Sequence, residues 1–189
     1  MDALAIDKAH LVGGSYAGAV ALQAAASHPV RVHTLTLIEP PPVHTSFRAE
    51  FADACDQMLE TRRESGPEVA IDQFLTTAMS SEWQDEAEAS LSGATTQMRR
   101  DALTFFDTDL PALLSWEFGP DSAATITCPV LHVGGSASGP WFAAVRGLML
   151  AWFPRAADVV IEGADHGLPL THAGEAAVAL AEFLRAHSS

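Results

Sequence analysis

His10-Leu11-Val12-Gly13-Gly14-Ser15-Tyr16-Ala17-Gly18 is the stretch on which the fold turns. Its first half, His10 to Gly14, reads as a short buried strand. From Tyr16 to Ser27 the pattern is helical and Ala-rich, and Pro29 stops it. A Ser between strand and helix on so tight a turn is forced into a strained backbone conformation, with its hydroxyl above the sheet. Small neighbours are needed there, because strand and helix backbones nearly touch. The same turn aims helix N-terminal amides, notably that of Tyr16, at an oxyanion formed on a substrate. A phosphate-cradling loop does not fit, since no Gly-Lys-Ser/Thr follows.

Outward from that turn, strands and helices alternate. Val32 to Ile38 is β-branched and apolar, a second strand, and Glu39-Pro40-Pro41-Pro42 ends it. Residues 46 to about 118 read as helical: Phe47, Phe51, Cys55, Met58 and Leu59 recur at helical spacing. After Ser65-Gly66-Pro67, so do Val69, Ile71, Phe74 and Leu75. Met98 to Phe106 and Leu110 to Trp116 suggest two more helices. Pro129 to Gly135 reads as a third strand, Trp141 to Trp152 as a helix, and Ala157 to Glu162 as a fourth strand. Gly174 to Ala186 is a last helix with Ala177, Leu180, Phe183 and Leu184 inward. The fold class is α/β, a mostly parallel sheet with flanking helices. Residues 1–42 and 126–189 form its core, and 43–125 a helical insertion. In such sheets ligands meet the C-terminal strand ends, so the chemistry is expected just after residues 14, 38, 135 and 162.

Gly13-Gly14-Ser15-Tyr16-Ala17-Gly18 resembles the Gly-x-Ser-x-Gly turn of the α/β-hydrolase superfamily, with Ala17 in place of the last Gly and Gly18 following. Gly163-Ala164-Asp165-His166-Gly167 is similar to that family's late His segment, and a last helix follows it as well. The order Ser before His agrees. The resemblance implies a cofactor-free serine esterase with a Ser-His-acid triad. In it Ser15 is the nucleophile, His166 the general base, and the Tyr16 amide an oxyanion donor. It also implies that residues 43–125 form a cap over the site.

The family's usual place for the acid follows the strand ending at Gly135, but Ser136-Ala137-Ser138-Gly139-Pro140 holds no carboxylate. Some members, certain haloalkane dehalogenases among them, carry the acid one strand earlier. Glu39 stands there and is the favoured orienter of His166. Its alternative role is to cap the Pro-rich turn or bind a backbone amide. Asp107, Asp109 and Glu117 are weaker candidates, and Asp165 reads as a loop residue. His132 and His33 read as core or supporting histidines, and His172 as structural. Phe47, Phe51, Phe74, Trp83, Phe105, Phe106 and Trp116 could wall an apolar pocket, though helical spacing makes most of them core. Trp141 is another candidate wall.

Composition narrows the partners. Asp and Glu number 24 against 10 Lys and Arg, a net charge of −14, which disfavours nucleic acid and anionic membranes. Apolar residues make up 48% of 189, enough for a sizeable core. Cys55 and Cys128 form no disulfide framework, and no His, Cys or carboxylate cluster has metal-ligand spacing. The first residues lack the pattern of a signal peptide, and no apolar run spans a membrane, so a cytoplasmic location is expected. The expected partner is a small apolar ester.

In the family's complete fold, further strands and a His-Gly-type loop precede the Ser turn, and residues 1–14 supply neither. Two expectations follow. The Ser15 strand becomes a sheet edge open to pairing, including with a second copy. The second oxyanion donor is absent, and losing one such donor costs about 10²–10³ in rate. The alternative to a working enzyme is therefore an impaired hydrolase serving as a partner-dependent or non-catalytic interaction domain.

Overall fold

The computed structural model describes residues 1–188. A short 3₁₀ turn, Asp2–Leu4, precedes strand β1 (Ala9–Gly14), helix α1 (Tyr16–Ser27) and strand β2 (Val32–Ile38). Six helices come next: α2 (Arg48–Ser65), α3 (Pro67–Ala78), α4 (Trp83–Ser90), α5 (Ala94–Thr104), α6 (Leu110–Leu114) and α7 (Pro120–Ala124). A π-helical turn, Phe105–Asp109, joins α5 to α6. The chain ends with β3 (Val130–Gly135), α8 (Gly139–Trp152), β4 (Ala157–Ile161), α9 (Leu168–Thr171) and α10 (Ala173–Ala186).

The four strands form one parallel sheet in the order β1-β2-β3-β4. Alternation along β2 sets its two faces. Leu35 and Leu37 pack with Leu22 and Ala25 of α1 and with Val145 and Met149 of α8. On the other face Leu131 and Val133 of β3 pack with Leu168 and with Phe183 of α10. Helices α2, α3 and α6 share a separate core that includes Phe51, Cys55, Ile71 and Leu110.

Some expectations need correction. His10 and Val12 of β1 are exposed, so the strand is not buried as its apolar sequence predicts. The reason is its place at the edge: among the described residues it pairs with β2 alone. In α10 the inward residues are Ala176, Ala179, Leu180 and Phe183, while Ala177 is exposed. Leu180 and Phe183 are inward and Leu184 is half-buried, as expected; Ala177 is the exception, because a run of alanines gives no size contrast to mark the inner face. Val69 and Leu103 are exposed as well.

The parallel ladders continue past the strand ends. The Ser15 amide donates to Ile38 O, the Glu39 amide to Val133 O, and the Ser136 amide to Ile161 O, at 2.9, 3.1 and 3.0 Å. Each of the first three loops is thus tied to its neighbour at one edge of the sheet.

Candidate active site

Ser15 has φ 48° and ψ −125°, a conformation that side chains rarely adopt. The turn survives because its neighbours are small. A Cβ on Gly13 would lie 2.3 Å from the Ala17 carbonyl oxygen, and one on Gly18 would lie 2.9 Å from Pro40 Cβ. Gly13 is therefore required where strand and helix cross, and Gly18 lets α1 approach the Pro-rich turn. Tyr16 is the first residue of α1, so its amide has no acceptor within the helix.

Glu39 follows β2 at φ 44° and is only 2% exposed. Its two oxygens have different partners. Oε1 accepts the Gly135 amide at 2.8 Å, and Oε2 lies 2.8 Å from His166 Nδ1. Burial pushes the Glu39 carboxyl up, but the His166 and Gly135 hydrogen bonds outweigh it and hold the group below its ordinary value. An ionised carboxylate only accepts, so the proton sits on His166 Nδ1 and Nε2 is free to accept. Nε2 lies 3.0 Å from Ser15 Oγ. Phe142 stacks on the imidazole, with ring centroids 4.1 Å apart and planes 14° from parallel.

The His166 loop is placed through β3. A Cβ on Gly135 would lie 2.1 Å from the Ala164 carbonyl oxygen, so only Gly lets that loop pass over the strand end. The Ala137 amide then donates to Ala164 O at 2.9 Å, and Ser136 Oγ accepts the Gly163 amide at 2.8 Å. This contact explains a Gly that motif reading leaves without a role.

The structure brings Ser15, Glu39, His166 and Tyr16 to one end of the sheet. The weaker acid candidates lie elsewhere: Asp107 pairs with Arg62, and Asp109 neighbours the Tyr16 hydroxyl. Glu117 is exposed, and Asp165 accepts the Gly167 amide at 2.7 Å within its own loop. His172 adjoins the start of α10. His132 is 1% exposed, with Nδ1 3.1 Å from an Asp158 carboxylate that Arg146 also binds. Burial pushes its imidazole below the ordinary histidine value against the pull of Asp158. The sequence gives no sign of the Asp158 and Arg146 pairing.

A cavity of about 520 Å³ opens over Ser15 and His166. Phe51, Phe74, Phe105 and Trp141 line it, whereas Trp83, Phe106 and Trp116 do not. Among the described residues no group of three His, Cys, Asp or Glu side chains could hold a metal ion. No described helix is long and apolar enough to cross a membrane.

Residues 1–173 match the sequence profile of the alpha/beta hydrolase fold. No curated protein sequence matches the chain. Among solved structures, the enol-lactonase from Burkholderia xenovorans LB400 superposes with a TM-score of 0.70 at 21% identity, covering 98% of this chain and 68% of that one. A thermophilic esterase from Thermogutta terrifontis gives 0.71 at 22%, covering 97% and 66%. Est816, an N-acyl homoserine lactone degrading enzyme, gives 0.68 at 23%, covering 96% and 70%. At these identities the likeness is one of fold.

Proposed function

This chain belongs to the α/β-hydrolase fold family, and we propose that within it the chain acts as a cofactor-free serine hydrolase of small apolar esters or related acyl compounds. One observation carries the proposal: a continuous hydrogen-bonded chain from Glu39 through His166 to Ser15, with links of 2.8 and 3.0 Å, beneath an apolar cavity. Ser15 Oγ attacks the substrate carbonyl as His166 Nε2 takes its proton. Glu39 holds the reactive tautomer and stabilises the imidazolium that forms. The Tyr16 amide donates to the developing oxyanion. The tetrahedral intermediate collapses, the acyl–oxygen bond breaks, and His166 returns the proton to the departing alcohol. Water then attacks the acyl-Ser15 ester by the same steps in reverse. The esterase and lactonase activities named for the structural neighbours fit this chemistry. In this reading the helices between β2 and β3 form a cap, and the acidic chain works in the cytoplasm without nucleic acid or membrane. Hydrolysis of a neutral aryl ester by the purified chain, lost in Ser15→Ala, tests it. Equal rates in both would refute it.

One observation favours a second reading. Among the described residues strand β1 pairs along one side only, and Val12 on it is 47% exposed. In that reading the chain is a non-catalytic or partner-dependent interaction domain that pairs through this edge, with itself among the outcomes. A folded monomer in size-exclusion chromatography would argue against it.

A further inference from the structure

The cavity over Ser15 is chemically graded. Its inner wall is apolar: Phe51 and Met58 from α2, Phe74 from α3, and Phe105. Its more exposed edge carries uncharged polar residues spaced along the same two helices, Gln57 and Thr61 on α2 and Gln73 and Thr77 on α3, the two Thr hydroxyls donating to the Gln57 and Gln73 carbonyls. The outer groups are at successive helical turns, so each helix presents an apolar stripe inward and a polar stripe to the mouth.

Charge in the cavity is one-sided. Among the described residues lining it there is no Lys or Arg, and the sole carboxylate is Glu50. Glu50 is exposed at the edge of the cavity, where it accepts the Trp141 indole N–H at 2.8 Å, and Trp141 itself packs edge-on against Phe51. The neighbouring cation Arg62 is committed to Asp107. A carboxylate carried into this space would lose water, find no counter-charge and meet Glu50, within a chain whose net charge is −14. The volume of about 520 Å³ is well within the range of about 300–1,000 Å³ for small-molecule sites.

We infer that the cleft between α2 and α3 takes an uncharged, medium-length apolar chain of the substrate, and that Glu50 is a specificity determinant against carboxylate-bearing substrates. The inference rests on the hydrolase function proposed above. It goes beyond it by naming where the chain lies and which ester class is refused.

Rates of Ser15 modification by alkyl fluorophosphonates test it without requiring turnover. Three probes are compared at pH 7.5: ethyl, octyl, and an octyl chain ending in a carboxylate. Each methylene buried in the cleft is expected to raise the rate roughly 3-fold until the cleft is filled. The octyl probe should therefore exceed the ethyl probe by at least about 30-fold, and its carboxylate counterpart by roughly 10²-fold. Glu50→Gln retains an acceptor for the Trp141 indole and should narrow the neutral-to-anionic ratio a few-fold. Modification of Ser15 by all three probes at equal rates would overturn the inference and leave the hydrolase function standing. So would an unchanged ratio in Glu50→Gln for the role of that residue. No modification of a folded chain by any probe would remove both.

Discussion

Glu39 Oε2 lies 2.8 Å from His166 Nδ1, although the two residues are 127 positions apart in sequence. The link joins the end of the second strand to the loop after the fourth, across the end of the third. It is also the link on which the proposed base depends, since it decides which imidazole nitrogen faces Ser15.

Glu39→Gln keeps the size of the side chain but can no longer hold the reactive tautomer. We expect kcat to fall by about 10³–10⁴ with the fold intact by circular dichroism. A loss below 10-fold would place the orienting acid elsewhere.

The proposed acid is the hardest part of the site to read from sequence. The loop after Gly135 has no carboxylate, and only the strand end that Glu39 occupies points to it. What sequence does not convey is that this carboxyl has two partners at once. A backbone amide, here that of Gly135, leaves no signature in residue identity. The Ser15 turn and the strand and helix limits around it were legible because Gly and Pro punctuate them. Within the stretch that reads as helical, sequence does not mark α4 off as a helix of its own, since only Trp83 and Ala87 of its eight residues are buried, too few to set a period. In α10 the alanines offer no size contrast, so sequence reads Ala177 as inward although it is exposed, and the pairing of buried His132 with Asp158 and the exposed Arg146 depends on strand register that no local pattern carries.

Gly13→Ala and Gly135→Ala test the two close approaches that shape the site. Their new methyl groups would sit 2.3 and 2.1 Å from carbonyl oxygens, so backbone must move. Each should cost at least ~2 kcal/mol in urea unfolding. A neutral result at either position would mean that the turn is not closed as described.

Stability should fall on the acid side in two stages. The unfolded chain's histidine takes up a proton through its ordinary range, while buried His132 resists, so stability is full above that range and declines as pH falls through it. Glu39 adds stability above the ordinary carboxylate range, lost as pH falls through its lowered folded value. Thermal midpoints from pH 8 to pH 4 should show both declines, and His132→Asn should flatten the first. An equal slope in the variant would contradict the assignment to His132.

Phe142 restrains the imidazole by stacking. Phe142→Ala should lower kcat about 10-fold, because the ring gains freedom to leave the Ser15 geometry. Phe142→Leu should recover part of it. Unchanged kcat in Phe142→Ala would show that Glu39 alone suffices to hold His166.

Cys55 is buried, and burial pushes its thiol up to about 12; burial raises that of Cys128 too. Iodoacetamide at pH 8 should therefore modify Cys55 slowly in the native chain and fully in urea. Rapid native modification of Cys55 would contradict the shielding of this cavity-lining thiol.

The most direct measurement is fluorophosphonate labelling of the purified chain, read by intact mass and peptide mapping, beside Ser15→Ala and His166→Ala. A single adduct mapped to Ser15, and absent from both folded variants, is the predicted result. A folded wild-type chain that takes no label, or a Ser15→Ala chain that still does, would contradict the assignment of Ser15 as nucleophile.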